Sequence, residues 1–150
     1  DQFVARFMSY VDSIYQILGL DKGASVSKVG LRKINSVQVE PISSLPEALN
    51  AFNPALFNTV RSGLIGMGAL RATEEVVVLE SGDRLCLLRT SLEKKSENSL
   101  AANLDFDFVS KSANTLEQSL ERTLPELNQS IFDLFMWAVT ADLIDVMEKG

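Results

Sequence analysis

The stretch EEVVVLESGDRLCLLRTS, residues 74–91, decides the fold that the sequence predicts. Two runs rich in β-branched and apolar residues, 74–80 and 84–91, lie on either side of the turn Ser-Gly-Asp. Runs of this kind around a short glycine-containing turn are typical of two antiparallel strands. The sequence therefore predicts a β-hairpin over these residues.

A third strand is predicted where Leu104, Phe106 and Phe108 alternate with Asp105 and Asp107. Because successive side chains of a strand point to opposite faces, this pattern predicts one apolar face and one acidic face. The two carboxylates could act as a general acid and base, or could bind a divalent cation. The favoured interpretation is a half-exposed strand whose acids meet water or a basic neighbour.

A fourth strand is predicted in SKVGLRKINSVQVEP, residues 27–41, and Pro41 should end it because proline has no N–H to donate. The apolar residues alternate at each end of the stretch, but Ile34 is out of phase with both pairs. Two interpretations remain open. Either both faces of the strand are partly covered, or a bulge near Lys33 redirects the chain.

Helices are predicted at both ends of the chain. Apolar residues at steps of three and four predict a helix over Gln2–Leu18, ended by Gly19. A similar stripe predicts a long C-terminal helix, and Pro125 should bend or divide it near Leu124 because the proline ring displaces the carbonyl four residues back. The members of this stripe are Leu116, Leu120, Leu124, Leu127, Ile131, Leu134 and Ala138.

These elements together predict one α+β domain over residues 1–150. It consists of an antiparallel sheet of about four strands, with the N-terminal helix and the long C-terminal helix packed on one face. The segment 42–58 is predicted to be a connection outside the core, with one or two helical turns. The run 59–73 is predicted to be strand-like, with glycine interruptions that suggest a bulge or a close backbone approach. The inner face is expected to place Leu104, Phe106 and Phe108 against Phe7, Ile14, Leu120 and Ile131.

Composition argues against several classes of function. The net charge is −6, from 14 basic and 20 acidic residues, whereas binding to a phosphate backbone needs clustered lysine and arginine. The absence of histidine removes the commonest general base and the commonest zinc ligand. Cys86, the single cysteine, lies in an apolar run and is predicted to be a buried, unreactive thiol. We therefore expect no cofactor, no nucleic-acid or membrane partner, and a reducing, cytoplasmic location.

An interface is predicted in the C-terminal helix. The stretch IFDLFMWAV, residues 131–139, has Asp133 as its one polar residue. A helix that is apolar all round must be buried on all sides, so this segment either fills the core or extends into an interface. The candidate interface residues are Phe132, Phe135, Met136 and Trp137.

Three short motifs carry a resemblance to a known family. They are VGLRKINSV at 29–37, LDFDF at 104–108 and LNQSIFDLFMWAVTADL at 127–143. With them, the chain resembles the C-terminal part of a sporadically distributed, uncharacterised bacterial protein family. That family has a Gly-Leu-Arg-Tyr-Ile-Asn strand, a Leu-Asp-Ile-Asp-like strand, and a closing helix with a Phe and an Ile-Thr pair. The matching residues are Gly30, Leu31, Arg32, Ile34, Asn35, Leu104, Asp105, Asp107, Phe135, Val139 and Thr140.

Two positions depart from the family pattern. Lys33 stands where an aromatic residue is usual, and Asn128 stands where histidine is frequent. The resemblance implies a bacterial, cytoplasmic protein whose parent chain is longer, and it implies no particular activity.

The leading hypothesis for function is a non-enzymatic interaction or assembly domain that forms a homodimer or binds the rest of its own longer chain. The alternative is a small-ligand or peptide-binding domain with Arg32, Asn35, Asp105 and Asp107 as its polar recognition set, because arginine presents a planar fork to carboxylates and phosphates. A third possibility is an enzyme acting through the aspartates. We expect Arg32 to pair with one of the two aspartates across the sheet and Asn35 to hold the local backbone.

Overall fold

The structure, a computed structural model, describes residues 2–19, 21, 23–63, 69–111 and 114–149. In chain order the elements are α1 (Gln2–Leu18), β1 (Ser25–Val26), β2 (Val29–Val39), α2 (Leu45–Leu49), α3 (Asn58–Arg61), β3 (Ala72–Ser81), β4 (Arg84–Ser96), β5 (Ser99–Ser110), β6 (Asn114–Thr115), α4 (Leu116–Gln118), a π-helical turn (Ser119–Thr123), α5 (Leu124–Ala138) and α6 (Ala141–Lys149). Among the described residues, no helix is long and apolar enough to span a bilayer.

The predicted four-stranded antiparallel sheet is confirmed, with strand order β2-β5-β4-β3. The predicted hairpin is β3–β4, closed by the pair Ser81 and Arg84 around Gly82 and Asp83. Gly82 has a φ of 59°, a left-handed conformation that costs glycine nothing because it has no Cβ. In this order β3 and β2 are the two edges of the sheet, and β5 and β4 lie in its interior. The short strands β1 and β6 pair separately.

Strand β2 is regular, so the bulge predicted near Lys33 is wrong. Its register with β5 runs without a shift from Val29 opposite Ser110 to Val39 opposite Leu100. Ile34 is out of phase because it lies on the face away from the helices, where it is exposed. Coverage of both faces is therefore also wrong at this position. A single exposed isoleucine is common on protein surfaces and needs no special coverage.

The core lies between one face of the sheet and the helix α5. Leu104 and Phe106 on β5 are fully buried, as is Leu127 on α5, and Ile131 is nearly so. The predicted inner face is therefore confirmed for Leu104, Phe106 and Ile131, and Phe108 packs against the same core, whereas Leu120 is half-buried and is not among the core residues. The prediction that Phe7 and Ile14 of α1 also face this core is wrong, because both are exposed.

The segment 42–58 occupies the space that α1 was expected to fill. Its buried side chains include Leu49, Phe52 and Phe57, and the two phenylalanine rings meet edge to face at 5.2 Å. Arg61 ties this segment together because its Nη2 donates to the carbonyl of Leu49 at 2.6 Å. The prediction of a connection outside the core is wrong, because these side chains are buried in it. The sequence did not show this, since the apolar residues of the segment are irregularly spaced and have neither a helix nor a strand period.

The run that follows this segment is only partly described. Residues 58–61 form the helix α3, so the strand-like prediction is wrong there. Residues 64–68, which include two of the three glycines of this run, lie outside the described residues.

The helical segment 116–138 changes hydrogen-bonding type at the position that Pro125 predicted. The π-helical turn precedes Leu124, whose N–H bonds the carbonyl of Ser119, and α5 begins there with Pro125 in its first turn. Because the helical backbone continues through Thr123 and Leu124, Pro125 has no N–H to donate to the turn before it, and the wider π turn lies where its ring would displace a carbonyl. The predicted disturbance is thus a change from π to α geometry rather than a break. Beyond α5, extended Val139 pairs with Phe52 before α6.

Candidate functional site

An arginine–aspartate pair crosses the face of the sheet that the helices leave uncovered, which we call the open face. Arg32 on β2 binds Asp105 on β5 with both ends of its fork, Nε to Oδ1 at 2.8 Å and Nη2 to Oδ2 at 2.6 Å. The prediction that Arg32 pairs with an aspartate is confirmed for Asp105. The residue directly opposite Arg32 is Asp107, so the guanidinium reaches diagonally along the neighbouring strand.

Asp105 receives a second guanidinium from the other side. Arg89 on β4 lies directly opposite Asp105 and donates from Nη1 to Oδ2 at 2.8 Å, while its Nε lies 3.0 Å from Glu74 Oε1 on β3. The row Arg32, Asp105, Arg89 and Glu74 therefore joins all four strands of the sheet. Asp105 is buried beneath its two partners, whereas Arg32 remains half-exposed.

These ion pairs determine the protonation state of Asp105. The hydrogen bond from Arg32 lowers the pKa of Asp105 below its usual value, burial opposes this effect by raising the pKa, and Arg89 lowers it further. The carboxylate is therefore ionised at neutral pH and both its oxygens accept hydrogen bonds from guanidinium groups. A carboxylate held in this way has no proton to donate and is poorly placed to accept one. The arrangement holds the strands together.

Asp107 does not share this role. It is half-buried on the same face and forms no hydrogen bond or ion pair with any residue that the structure describes. The two aspartates predicted as a pair thus differ, because Asp105 lies between two arginines and Asp107 does not. The described part of the chain contains no group of three or more acidic or cysteine side chains that could hold a metal ion.

Asn35 is not part of this cluster. Its side chain points to the opposite face from those of Arg32 and Ile34. It lies opposite Leu104, on the face that α5 covers. The predicted four-residue polar set is therefore divided between the two faces of the sheet. The regular strand explains the error, because a bulge would have been needed to bring Asn35 to the side of Arg32.

Lys33 lies on the covered face and contacts the C-terminal helix. Its Nζ donates to Oδ1 of Asn128 at 2.6 Å. Both positions stood out in the comparison of sequence motifs, and the structure places the two side chains in direct contact. Sequence reasoning did not connect them, since nothing in the spacing shows that β2 and α5 meet at these residues.

Cys86 is buried in the sheet. Burial raises the pKa of its thiol to about 11, and the negative charge of Asp107 adds to the increase. The predicted burial is confirmed.

A measurable consequence is slow reaction of Cys86 with thiol reagents. The thiolate is the reactive form, and here it is both rare and shielded. We expect Ellman's reagent at pH 8 to label the native protein about 100-fold more slowly than the urea-unfolded protein. Rapid labelling under native conditions would show that the thiol is accessible. The unfolded sample controls for the intrinsic reactivity of the residue.

A polar cavity of about 550 Å³ lies between the β3–β4 turn and the π-helical turn. Two of its arginines, Arg84 and Arg122, both bind the carboxylate of Glu126. This carboxylate has a lowered pKa, caused first by its hydrogen bond with Arg122. Glu126 therefore neutralises one of the two positive charges, and the acidic side chains of Asp83 and Glu121 also line the cavity. The residues lining it are Asp83, Arg84, Ser110, Asn114, Gln118, Glu121, Arg122, Thr123 and Glu126.

The predicted interface on α5 is divided by the structure. Phe132, Met136 and Trp137 are between 40% and 53% exposed, and we call these three residues the α5 patch. Phe135 is partly buried and packs against the core, so it does not belong to this surface. The patch lies on a helix whose other side is buried in the domain.

Two other elements expose apolar side chains. On β3, four consecutive residues from Val76 to Leu79 are between 46% and 60% exposed, although they point alternately to opposite faces. The sequence predicted this strand but could not show that it lies at the edge of the sheet. On α1, an exposed stripe runs along one side of the helix. Its members are Phe7, Tyr10, Ile14, Ile17 and Leu18.

Comparisons with protein-family models, with curated proteins and with solved structures find no match. The resemblance described from the sequence motifs therefore stays a prediction.

Proposed function

We propose that this chain is a non-enzymatic protein-interaction domain that assembles as a homodimer through the α5 patch. The observation that supports the proposal most directly is the exposure of Phe132, Met136 and Trp137 on one outward side of a helix. Tryptophan, methionine and phenylalanine are more frequent in protein interfaces than on the rest of the protein surface. A reducing, cytoplasmic setting suits the single cysteine and belongs to the same proposal.

The α5 patch is held on a rigid platform. Leu124, Leu127 and Ile131 anchor the opposite side of the helix in the core, and Ala138 at its end is also fully buried. Side chains displayed by a fixed helix lose little conformational freedom on binding, so more of their contact energy appears as affinity. Among the α1 side chains that the structure describes, residues 6–18, Tyr15 is the one that is buried.

A second copy is the partner that the charges around the patch favour. The one ionic side chain on this stretch of α5 is Asp133, and its Oδ1 accepts a hydrogen bond from Gln129 Nε2 at 2.8 Å. A nearly uncharged patch offers little to attract a strongly charged partner, and it creates little repulsion when two copies meet. In a two-fold dimer the same patch serves on both sides, so aromatic and thioether groups pack on each other.

Disruption of the patch should separate the dimer. We expect Phe132→Glu to weaken dimerisation at least 30-fold, equal to about 2 kcal/mol, because it places like charges on both sides of the interface. Sedimentation equilibrium measures this change. Trp137 is the only tryptophan, so its emission maximum should shift to shorter wavelength as dilute protein is concentrated.

A matched control is available on α1. Ile17→Glu also replaces an exposed apolar residue of a helix and should leave the dimer intact. A wild-type protein that stays monomeric at high concentration would overturn the proposal, and so would equal effects of the two variants.

The alternative, a ligand site formed by Arg32, Asn35, Asp105 and Asp107, has less support, because it needs an available arginine fork and all four side chains on one face. Arg32 is bound at both ends of its fork by Asp105, and Asn35 lies on the other face. An enzyme acting through the two aspartates meets the same difficulty, because Asp105 is held between two guanidinium groups.

A further inference from the structure

We infer that the outer edge of β3 is a docking site for an extended peptide segment with basic residues near its ends, which adds to the sheet as a fifth strand. The inference is independent of the proposed homodimer, because it concerns a different surface. Within the described residues, β3 pairs with β4 on one side, and no strand pairs with it on the other.

The hairpin geometry shows which backbone groups of β3 face outward. Ser81 and Arg84 close a two-residue turn, so they form a hydrogen-bonded pair. Hydrogen bonding to the partner strand alternates along an antiparallel ladder. The residues at 79, 77, 75 and 73 therefore bond β4, and the N–H and C=O groups at 80, 78, 76, 74 and 72 point away from the sheet.

Within the residues that the structure describes, strand β3 has no proline, bulge or lysine. Natural edge strands commonly carry such features or other charged side chains, which discourage pairing with other chains, and the charged side chains of β3 are three glutamates. The register of β3 runs unshifted from Ala72 to Ser81, and its sequence contains no proline and no basic residue. The opposite edge, β2, does carry Arg32 and Lys33. The two edges of the same sheet thus differ, and β3 is the one suited to accept a strand.

The charges on β3 identify the chemistry of the partner. Glu74 and Glu80 lie on the open face on either side of Val76 and Val78. Their side chains are 56% and 60% exposed even though they already bind Arg89 and Lys111, so each carboxylate can accept a further cation. Glu75 is engaged differently, because its two oxygens accept the N–H groups of Asn58 and Thr59 at the start of α3.

A second copy of β3 fits this edge poorly. When two copies of β3 pair antiparallel about a two-fold axis perpendicular to the sheet, each residue keeps its face of the sheet. The residue on the axis therefore lies opposite the same residue of the other copy. With Val77 on the axis, Glu74 lies opposite the Glu80 position of the other copy, and like charges directly opposite are destabilising. Moving the axis to Val78 places Glu80 opposite valine, and no register offers the carboxylates a basic partner.

A partner strand with basic residues opposite Glu74 and Glu80 and apolar residues between them satisfies both requirements. The apolar residues of the partner strand would pack beside the exposed positions 76–79, and its two basic side chains would pair with the carboxylates of Glu74 and Glu80. The backbone groups that face outward supply the main-chain hydrogen bonds, which give affinity in this mode of recognition.

The palindromic peptide Lys-Thr-Val-Val-Val-Thr-Lys, acetylated, amidated and fluorescently labelled, is the direct probe because it fits in either strand direction. We expect fluorescence anisotropy to detect binding that weakens at least 10-fold when NaCl is raised from 50 to about 500 mM, since exposed charge pairs are screened. The matched peptide with glutamate in place of both lysines should bind at least 10-fold more weakly. Failure of the lysine peptide to bind at millimolar concentration, or equal binding of both peptides, would overturn the inference.

Two protein variants locate the binding surface. Val78→Pro removes an outward N–H and leaves the ladder to β4 intact, so it should abolish binding, whereas Val78→Thr keeps the N–H and should retain it. The double variant Glu74→Lys and Glu80→Lys should reverse the preference and bind the glutamate peptide more tightly.

Three results would count against the edge as the site. They are unchanged binding by the proline variant, an unchanged preference in the charge-reversed variant, and conversion of a dimer to a monomer by Val78→Pro. The last would show that a second copy occupies the edge. Phe132→Glu should leave peptide binding unchanged, which separates this inference from the proposed homodimer.

Discussion

Phe106→Ala is expected to lower the free energy of unfolding by about 3–5 kcal/mol. The ring of Phe106 is fully buried on the interior strand β5, with Leu88 opposite it on β4 and Ile131 of α5 among the same core residues. Removal of the ring leaves a cavity that a sheet interior closes only partly, because the backbone is held on both sides. Urea unfolding followed by circular dichroism measures the change.

A loss of this size is a large part of the stability of an ordinary domain, so Phe106→Ala can fail to fold. Phe106→Leu retains most of the volume and should cost about 1–1.5 kcal/mol, which keeps the prediction measurable. Val77→Ala on the edge strand β3 is the control and should change stability by less than about 1 kcal/mol, because its side chain is about half-exposed. Similar losses for the interior and edge variants would contradict the position of the core.

Asp105→Asn is expected to destabilise the protein by about 2 kcal/mol. Both oxygens of Asp105 accept hydrogen bonds from guanidinium groups, so either orientation of an asparagine amide points an N–H donor at another donor. The figure is smaller than for a fully buried ion pair, because Arg32 and Arg89 keep part of their hydration. Chemical unfolding at pH 7 in moderate salt measures the difference.

Asp107→Asn is the matched control, since it makes the same chemical change two residues along the same strand face. It should cost less than about 0.5 kcal/mol, because Asp107 forms no ion pair with a described residue. If the two variants are equally stable, the guanidinium contacts of Asp105 contribute nothing measurable and its role in joining the strands is wrong.

The stability difference between wild type and Asp105→Asn should also depend on pH. The folded protein holds the pKa of Asp105 below its ordinary value through the hydrogen bond with Arg32. Stabilisation from a lowered pKa is present above the unfolded value of about 4, and is lost as the pH falls through the folded value. The difference should therefore be constant from pH 7 to pH 5 and shrink below pH 4. A difference that grows on acidification would exclude this linkage.

Local patterns carried much of the fold. The hairpin β3–β4 and the strand β5 followed from alternation and from one turn, because strand period and turn chemistry act over a few residues. The segment 42–58 did not follow, since its buried phenylalanines and leucines have no regular spacing. They enter the core through contacts with distant strands, and such contacts leave no periodic signal in a sequence.

The candidate surfaces show the same division. The sequence predicted that Arg32 would meet an aspartate, but Asp107 lies directly opposite and Asp105 is the partner. Asp105 also accepts a hydrogen bond from Arg89, which β4 brings to its other side, and no short-range pattern shows that these three side chains meet. The exposure of the α5 patch, in contrast to buried Ile131, depends on which side of the helix meets the sheet.

The sequence by itself determined the fold class, the four strands and the apolar character of the C-terminal helix, because these depend on residue type and short-range period. The tertiary structure alone decided that β3 lies at an edge, with its outward N–H and C=O groups unpaired by any described strand. It also decided that Lys33 and Asn128, both half-buried, meet on the face that α5 covers. Strand order and helix placement arise from packing between residues far apart in the chain. An edge and an interior strand can therefore have the same alternating pattern and opposite surroundings.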